Sequence, residues 1–163
     1  MNYHIIFDFN AQSNLQNWEV VDDAVMGGKS GGTFKINADG FGVFAGHVSL
    51  ENNGGFSLVR YRFEKIKINN YSKISIQLHG NKQRFQFRIK SSKEDEHSYV
   101  TFFSTSGEWE TIEFPLEDLY PWFRGKRLEQ PNFSEDYIEE IGFLIGNKVA
   151  ESFKLKIDKI LLQ

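Results

Sequence analysis

The residue types most suited to binding or catalysis lie in a glycine-rich stretch from Asp22 to Ser30. It contains Gly28-Lys29-Ser30, which resembles a phosphate-binding loop because backbone amides and a lysine can cradle phosphate groups. The first glycine of that motif falls at position 23, where this chain has Asp23. An acid there would repel phosphate, and no helical pattern follows. The phosphate-loop interpretation is therefore rejected.

Two interpretations of this stretch remain. The favoured one is a turn-rich loop, in which Gly27 and Gly28 allow positive φ or a close approach of the backbone. The alternative is a recognition loop, in which Trp18 stacks on a ligand and Asp22 or Asp23 accepts hydrogen bonds. The sequence leaves both open.

Arg60 is the charged residue whose position is hardest to explain. It follows Asn52-Asn53-Gly54-Gly55, whose residue types strongly favour a turn. In a strand that starts at Phe56, Arg60 shares a face with Phe56 and Leu58 and needs a partner if that face is the core. We expect Asp22, Asp23 or Glu51 to supply it. A structural ion pair is the favoured interpretation, and a clamp on a ligand is the alternative.

A third stretch, from Pro121 to Lys126, carries Trp122, Arg124 and Gly125. Tryptophan and arginine are the residue types that dominate binding hot spots. The same stretch could instead cover one end of the domain, and the sequence does not separate the two.

The sequence contains no recognisable set of catalytic residues. The histidines, His4, His47, His79 and His97, have no metal-ligand spacing, and there is no cysteine. Paired acids occur at Asp22-Asp23 and at Glu94-Asp95-Glu96, but adjacent residues of a strand point to opposite faces. We therefore expect no enzymatic activity, no cofactor and no metal site.

Composition restricts the kind of partner. The net charge is −3 and the pI about 5.8, so the chain lacks the excess of positive charge that is typical of nucleic-acid-binding proteins. No window has the length and apolarity of a membrane span, and the N-terminus lacks the pattern of a signal peptide. We expect a cytoplasmic protein whose partner is another protein, or a carbohydrate, without nucleic-acid binding or membrane insertion.

The elements that must position these residues are mostly strands. Apolar and polar residues alternate over 74–78, 85–89 and 153–157. Less regular strands are predicted over 33–36, 41–45, 48–50, 56–63, 99–103, 109–114 and 141–145. The turn at 79–82 predicts a hairpin between the strands on either side of it. Single helical turns are predicted at 115–119 and 134–141. We expect one all-β domain over residues 1–163, an antiparallel sandwich or barrel.

Taken together, these motifs resemble the complex I intermediate-associated protein 30 family. The segments that carry the resemblance are Trp18 with 22–30, 44–46, 50–56, Val59-Arg60, Trp109, 114–116, 123–125 and 141–143. Asp22 stands where the family commonly has Asn. The resemblance implies a jelly-roll β-sandwich of the galactose-binding type, and mitochondrial members assist the assembly of respiratory complex I. This chain resembles the bare domain of a small bacterial member.

These observations predict that the glycine-rich loops gather near one end of the sandwich and form a shared recognition site. A non-catalytic protein-interaction or assembly module is the first functional hypothesis, a carbohydrate-binding module is the alternative, and a hydrolase with paired carboxylates comes last. The candidate binding residues are Trp18, Asp22, Asp23, Met26, Ser30, Asn52, Asn53, Arg60, Trp122 and Arg124.

Overall fold

The computed structural model of the chain describes residues 2–22, 29–51 and 55–163. The described residues form thirteen strands and one 3-10 helix, Leu116–Asp118. The strands are β1 (His4–Asp8), β2 (Trp18–Asp22), β3 (Gly31–Ile36), β4 (Gly42–Val48), β5 (Ser57–Lys67), β6 (Lys73–Gly80), β7 (Arg84–Lys90), β8 (Ser98–Ser104), β9 (Trp109–Pro115), β10 (Tyr120–Phe123), β11 (Lys126–Arg127), β12 (Tyr137–Ile145) and β13 (Glu151–Leu162).

The strands make two antiparallel sheets. The six-stranded sheet has the order β3-β4-β13-β6-β9, and β1 also pairs with the second half of β13. The seven-stranded sheet has the order β11-β10-β8-β7-β12-β5-β2. The two sheets pack face to face, which confirms the predicted antiparallel jelly-roll sandwich.

The core lies between the inner faces of the sheets and is unusually aromatic. Alternation along each strand sends every second side chain inward. Phe87 of β7, for example, stacks on Phe114 of β9 with ring centroids 4.6 Å apart. The largest fully buried side chains are Phe44, Phe85, Phe87, Phe143, Ile74, Ile76, Leu78, Ile89, Leu119, Ile138, Ile141 and Ile145.

The turn at 37–40 behaves as its residues predict. Asn37 Oδ1 accepts hydrogen bonds from the backbone N–H groups of Asp39 and Phe41, both at 3.0 Å. Gly40 takes a φ of +84°, which only glycine adopts without strain. This turn closes the β3–β4 hairpin, in which Phe34 pairs with Phe44.

The predicted hairpin around 79–82 is wrong. β6 pairs with β13 and β9 in the six-stranded sheet, whereas β7 pairs with β8 and β12 in the other. The turn therefore carries the chain from one sheet to the other. Alternation along two neighbouring strands does not say which sheet each one joins.

The two helical predictions fare differently. The turn predicted at 115–119 is present as the 3-10 helix that follows Pro115. The turn predicted at 134–141 is wrong, because Tyr137–Ile145 is β12, an interior strand of the seven-stranded sheet. A β-bulge between Ile138 and Glu140 shifts the alternation and places Ile138 and Ile141 on the core side, three residues apart as in a helix.

Candidate functional site

The outward face of the seven-stranded sheet carries two side-chain rows that cross the strands. The first row follows the pairing register from β2 to β8 and consists of Val21, Leu58, Leu144, Gln86 and Phe102. The second row runs beside it from β2 to β10 and consists of Glu19, Arg60, Gly142, Arg88, Val100 and Tyr120. A mainly apolar row therefore lies next to a mainly polar one.

A cleft of about 820 Å3 follows the first row. Loops at the end of the sandwich form its rim, and Trp122 of β10 closes one side. We call this the binding cleft, and its lining residues are Val21, Gly55, Phe56, Leu58, Gln86, Arg88, Phe102, Trp122, Arg124, Gly125, Leu144 and Gly146. With strands about 4.8 Å apart, the five steps from β2 to β10 span about 24 Å, which is the length of roughly seven extended residues.

One side of the binding cleft is aromatic. The rings of Trp122 and Phe102 meet edge to face with centroids 5.6 Å apart, and Tyr120 lies 6.1 Å from Trp122. The guanidinium of Arg84 lies 3.9 Å from the centroid of the Phe102 ring. Cation–π contact of this kind holds the aromatic surface in place.

Arg124 and Gly125 form the two-residue turn between β10 and β11. Both have positive φ, +50° and +78°, as the primed hairpin turns require. Arginine seldom occupies such a position, because its Cβ strains the left-handed conformation. The turn sets Arg124 at the rim of the binding cleft.

The floor of the binding cleft is polar at one place, on β7. Gln86 is 3% exposed, and its Oε1 has no hydrogen-bond partner among the described residues. Arg88, two residues along the same strand, donates from Nη2 to Ser98 Oγ at 2.9 Å. Burial lowers the pKa of Arg88, the cation of Arg60 lowers it further, and Glu140 opposes both.

Arg60 lies in the second row, beside the binding cleft and not in its lining. It shares a face with Leu58 as predicted, but that face is the outward one. Its partner is Glu19, which accepts from Nε at 2.9 Å and also from Nη2. The prediction of Asp22, Asp23 or Glu51 as the partner is therefore corrected, because Glu19 and Arg60 are directly paired across β2 and β5.

A second ion pair lies further along the same face. Arg62 Nε donates to Glu140 Oε1 at 2.7 Å, and the Glu140 side chain is 4% exposed. Lys90 donates to the backbone oxygen of Asp95 at 2.7 Å. Burial is the main cause of the lowered pKa of Lys90, with Glu140 acting in the opposite direction.

Trp18 lies in the core, which corrects its assignment as a ligand-stacking residue. The side chain is 8% exposed. It is stacked between Tyr61 and Phe34, whose ring centroids are both 4.7 Å away. The cause is register, because Trp18 pairs with Tyr61 and both project to the inner face.

The remaining predicted site residues are distributed as follows. Asp22 ends β2 and pairs with Ser57, and Ser30 is buried and binds the backbone of Ser49 through its hydroxyl. Trp122 and Arg124 line the binding cleft. Four further candidates, Asp23, Met26, Asn52 and Asn53, lie outside the described residues.

Of the predicted site residues, Trp122 and Arg124 lie together in the lining of the binding cleft, and Arg60 lies beside it. Arg60 and Trp122 lie on one face of one sheet, four strands apart, which corresponds to about 19 Å. Sequence reasoning missed Gln86 and Arg88, because the alternation of β7 assigned them to water. A signal was present in Leu144, an apolar residue on the outward side of a strand.

None of the lining residues of the binding cleft that the structure describes is an aspartate or glutamate. Glu140 is near enough to raise the pKa of Arg88, but its ion pair is with Arg62. A separate depression of about 490 Å3 does have acidic walls, including Glu117, Glu135 and Asp136. Within 2–22, 29–51 and 55–163, no three His, Asp or Glu side chains are grouped to hold a metal ion, and no helix is long and apolar enough to cross a membrane.

Fold and cleft together define an antiparallel jelly-roll β-sandwich with an open groove across one sheet. The sequence model of the Complex I intermediate-associated protein 30 (CIA30) family matches residues 7–157. The chain belongs to this family.

Solved structures with a similar fold include carbohydrate-binding modules. The family 11 module from Clostridium thermocellum in complex with a β-1,3-1,4-mixed-linked tetrasaccharide has a TM-score of 0.70 and 19% identity, covering 98% of this chain and 94% of that one. The family 11 module of a cellulosomal cellulase of Clostridium thermocellum gives 0.71 and 18%, with 99% and 94% covered. A family 29 module variant complexed with cellulohexaose gives 0.61 and 12%, with 99% and 89% covered. At these identities the likeness shows the fold.

Proposed function

We propose that this chain is a protein-interaction module that holds an extended segment of a partner protein in the binding cleft. The observation that carries the proposal is the apolar row that crosses five strands of the outward sheet face. Apolar side chains on the outward face of a sheet stabilise the protein little unless something covers them. A groove of this length suits an extended chain.

The types of side chain in the binding cleft favour a protein over a sugar. Six lining side chains are apolar or aromatic, Val21, Phe56, Leu58, Phe102, Trp122 and Leu144. Among the described lining residues, polar side-chain atoms come from Gln86, Arg88 and Arg124 and from the indole N–H of Trp122. Each hydroxyl of a buried sugar needs a hydrogen-bond partner, whereas the side chains of a peptide can cover apolar walls directly. The family is named after intermediates of a protein complex, which also supports a protein ligand.

Photo-crosslinking from two matched positions tests the proposal. A photoreactive phenylalanine replaces Trp122 in the binding cleft in one variant, and Trp109 in the other. Trp109 is a suitable control because it is 39% exposed and lies in the six-stranded sheet. After irradiation in the source cells, we expect a defined protein adduct from position 122 that is absent from position 109. No protein adduct from position 122, or the same adducts from both, would refute the proposal.

A carbohydrate-binding module is the second candidate. The cluster of Trp122, Phe102 and Tyr120 offers flat rings on which a sugar could stack, and the modules of similar fold include complexes with a mixed-linked tetrasaccharide and with cellulohexaose. Calorimetric titration with those two oligosaccharides tests it. Saturable binding that is lost in Trp122→Ala and kept in Trp109→Ala would favour this candidate. If the titrations give no heat of binding, these two oligosaccharides are excluded as ligands.

A further inference from the structure

Arg88, the cation at the centre of the binding cleft, forms no ion pair with any residue that the structure describes. Three other cations on this sheet face have oxygen partners: Arg60 binds Glu19, Arg62 binds Glu140, and Lys90 binds the backbone oxygen of Asp95. Arg88 has only the hydroxyl of Ser98. No carboxylate among the described residues lies within ion-pair distance of it. Its other four N–H groups have no hydrogen-bond partner among the described residues.

Gln86 adds an independent observation at the same place. Its side chain is buried and lines the binding cleft, and its Oε1 atom accepts no hydrogen bond from the residues that the structure describes. Native proteins seldom leave a buried acceptor unpaired, so this atom points to a donor that a ligand brings. Gln86 and Arg88 are two residues apart on β7, about 7 Å, on the same face.

A second cation lies close to Arg88 across the sheet. Arg88 and Arg60 both pair with Gly142 of β12, one on each side of it. Of the two cations, Arg88 lines the binding cleft, whereas Arg60 is held by Glu19 beside it. Guanidinium and carboxylate form short, charge-assisted and often bidentate hydrogen bonds.

We infer that the binding cleft selects an acidic peptide segment, in which one Asp or Glu side chain binds Arg88 and a backbone N–H donates to Gln86. This inference rests on the proposed function. Apolar side chains lie on both sides of the polar pair, Leu144 and Leu58 towards β2, and Phe102 towards β10. Side chains two residues apart in an extended peptide project to the same side. The partner segment therefore has apolar residues two positions before and two positions after its acid.

Two labelled peptides test the inference by fluorescence polarisation with the full chain. Each has nine residues, with leucines two positions on either side of a central residue. The central residue is Glu in one peptide and Gln in the other. We expect the Glu peptide to bind at least about tenfold more tightly, because the carboxylate gains a charge-assisted pair with Arg88. We also expect a steeper loss of affinity with salt for the Glu peptide.

Variants attribute the difference to the two residues. Arg88→Gln should abolish the preference for Glu, and Arg88→Lys should restore only part of it, because lysine keeps the charge and loses the planar fork. Gln86→Met should weaken both peptides about equally while keeping or raising the melting temperature, since it removes a buried unpaired acceptor. Lys154→Gln is the charge-matched control, exposed on the six-stranded sheet, and should change nothing.

Three outcomes would overturn the inference. If both peptides bind equally and Trp122→Ala weakens both, the cleft holds peptides without an acid site, and the proposed function stands. If neither peptide binds the wild type, the acidic segment is refuted, and the crosslinking experiment decides the proposed function separately. If trigalacturonic acid binds in an Arg88-dependent way and the peptides do not, the anion site belongs to a glycan.

Discussion

Removing the indole of Trp18 tests whether this residue acts in the core or at a ligand. The ring is stacked between Tyr61 and Phe34, and its edges meet Phe7 and Phe9 with centroids 5.4 Å away. Truncation therefore opens a cavity at the point where β1, β2, β3 and β5 come together. Typical Trp→Ala changes in such cores cost about 3–5 kcal/mol.

The expected magnitude is at the lower end of that range. Trp18 Nε1 is buried and has no hydrogen-bond partner among the described residues. Removing it relieves a penalty of about 1–3 kcal/mol. We therefore expect Trp18→Ala to lose about 3 kcal/mol of unfolding free energy, which is about 6–12 °C in melting temperature for a chain of this size. Trp18→Phe keeps most of the ring contacts and should lose only about 1 kcal/mol.

Urea denaturation followed by circular dichroism measures the unfolding free energy, and Trp122→Ala is the matched comparison. Trp122 lies half-buried at the edge of the binding cleft, so its loss should cost about 1 kcal/mol or less. The reasoning is refuted if Trp18→Ala loses less than about 1.5 kcal/mol, or if both truncations destabilise equally.

Two further predictions concern backbone packing and pH. Gly46→Ala places a Cβ 2.0 Å from the backbone oxygen of Gly31, so β3 and β4 must separate. We expect the unfolding free energy measured by urea denaturation to fall by at least about 2 kcal/mol. Gly31→Ala is the control, because a Cβ there meets nothing within 4 Å, and it should cost less than about 0.5 kcal/mol. Burial raises the pKa of Tyr61 above its ordinary value. The fold therefore favours the neutral phenol, and stability is lost as pH rises from about 10 through the higher folded value. Tyr61→Phe should lose less stability between pH 9 and 11 than the wild type, and the exposed control Tyr3→Phe should behave as the wild type does; equal losses in all three would contradict the sign.

Most strands were predictable because alternation is a local property of the sequence. The strands over 74–78, 85–89 and 153–157 lie within β6, β7 and β13. Their partners were not predictable in the same way, since pairing depends on contacts far apart in the chain. The false helix at 134–141 shows a second limit. A single bulge in β12 places core residues three positions apart instead of two, so the spacing of its apolar residues resembles that of a helix.

The candidate site was harder to predict than the fold. Trp18 and Arg60 attract attention by residue type, but alternation and register place one in the core and the other beside the binding cleft. Gln86 and Arg88 have the pattern of ordinary solvent-facing residues. Only the alignment of β7 with the apolar side chains of β5 and β12 makes them the floor of a cleft.

The long strand β13 has a consequence for how the protein is made. Its first half pairs with β4, its second half pairs with β1, and β6 lies along its other side. The six-stranded sheet therefore cannot close until the residues of β13 have left the ribosome. Pairings between such distant parts of a chain make folding slow, on the scale of milliseconds to seconds. During synthesis, β1, β4 and β6 present unpaired edges, and this interval is when a nascent chain is most prone to aggregate or to need a chaperone.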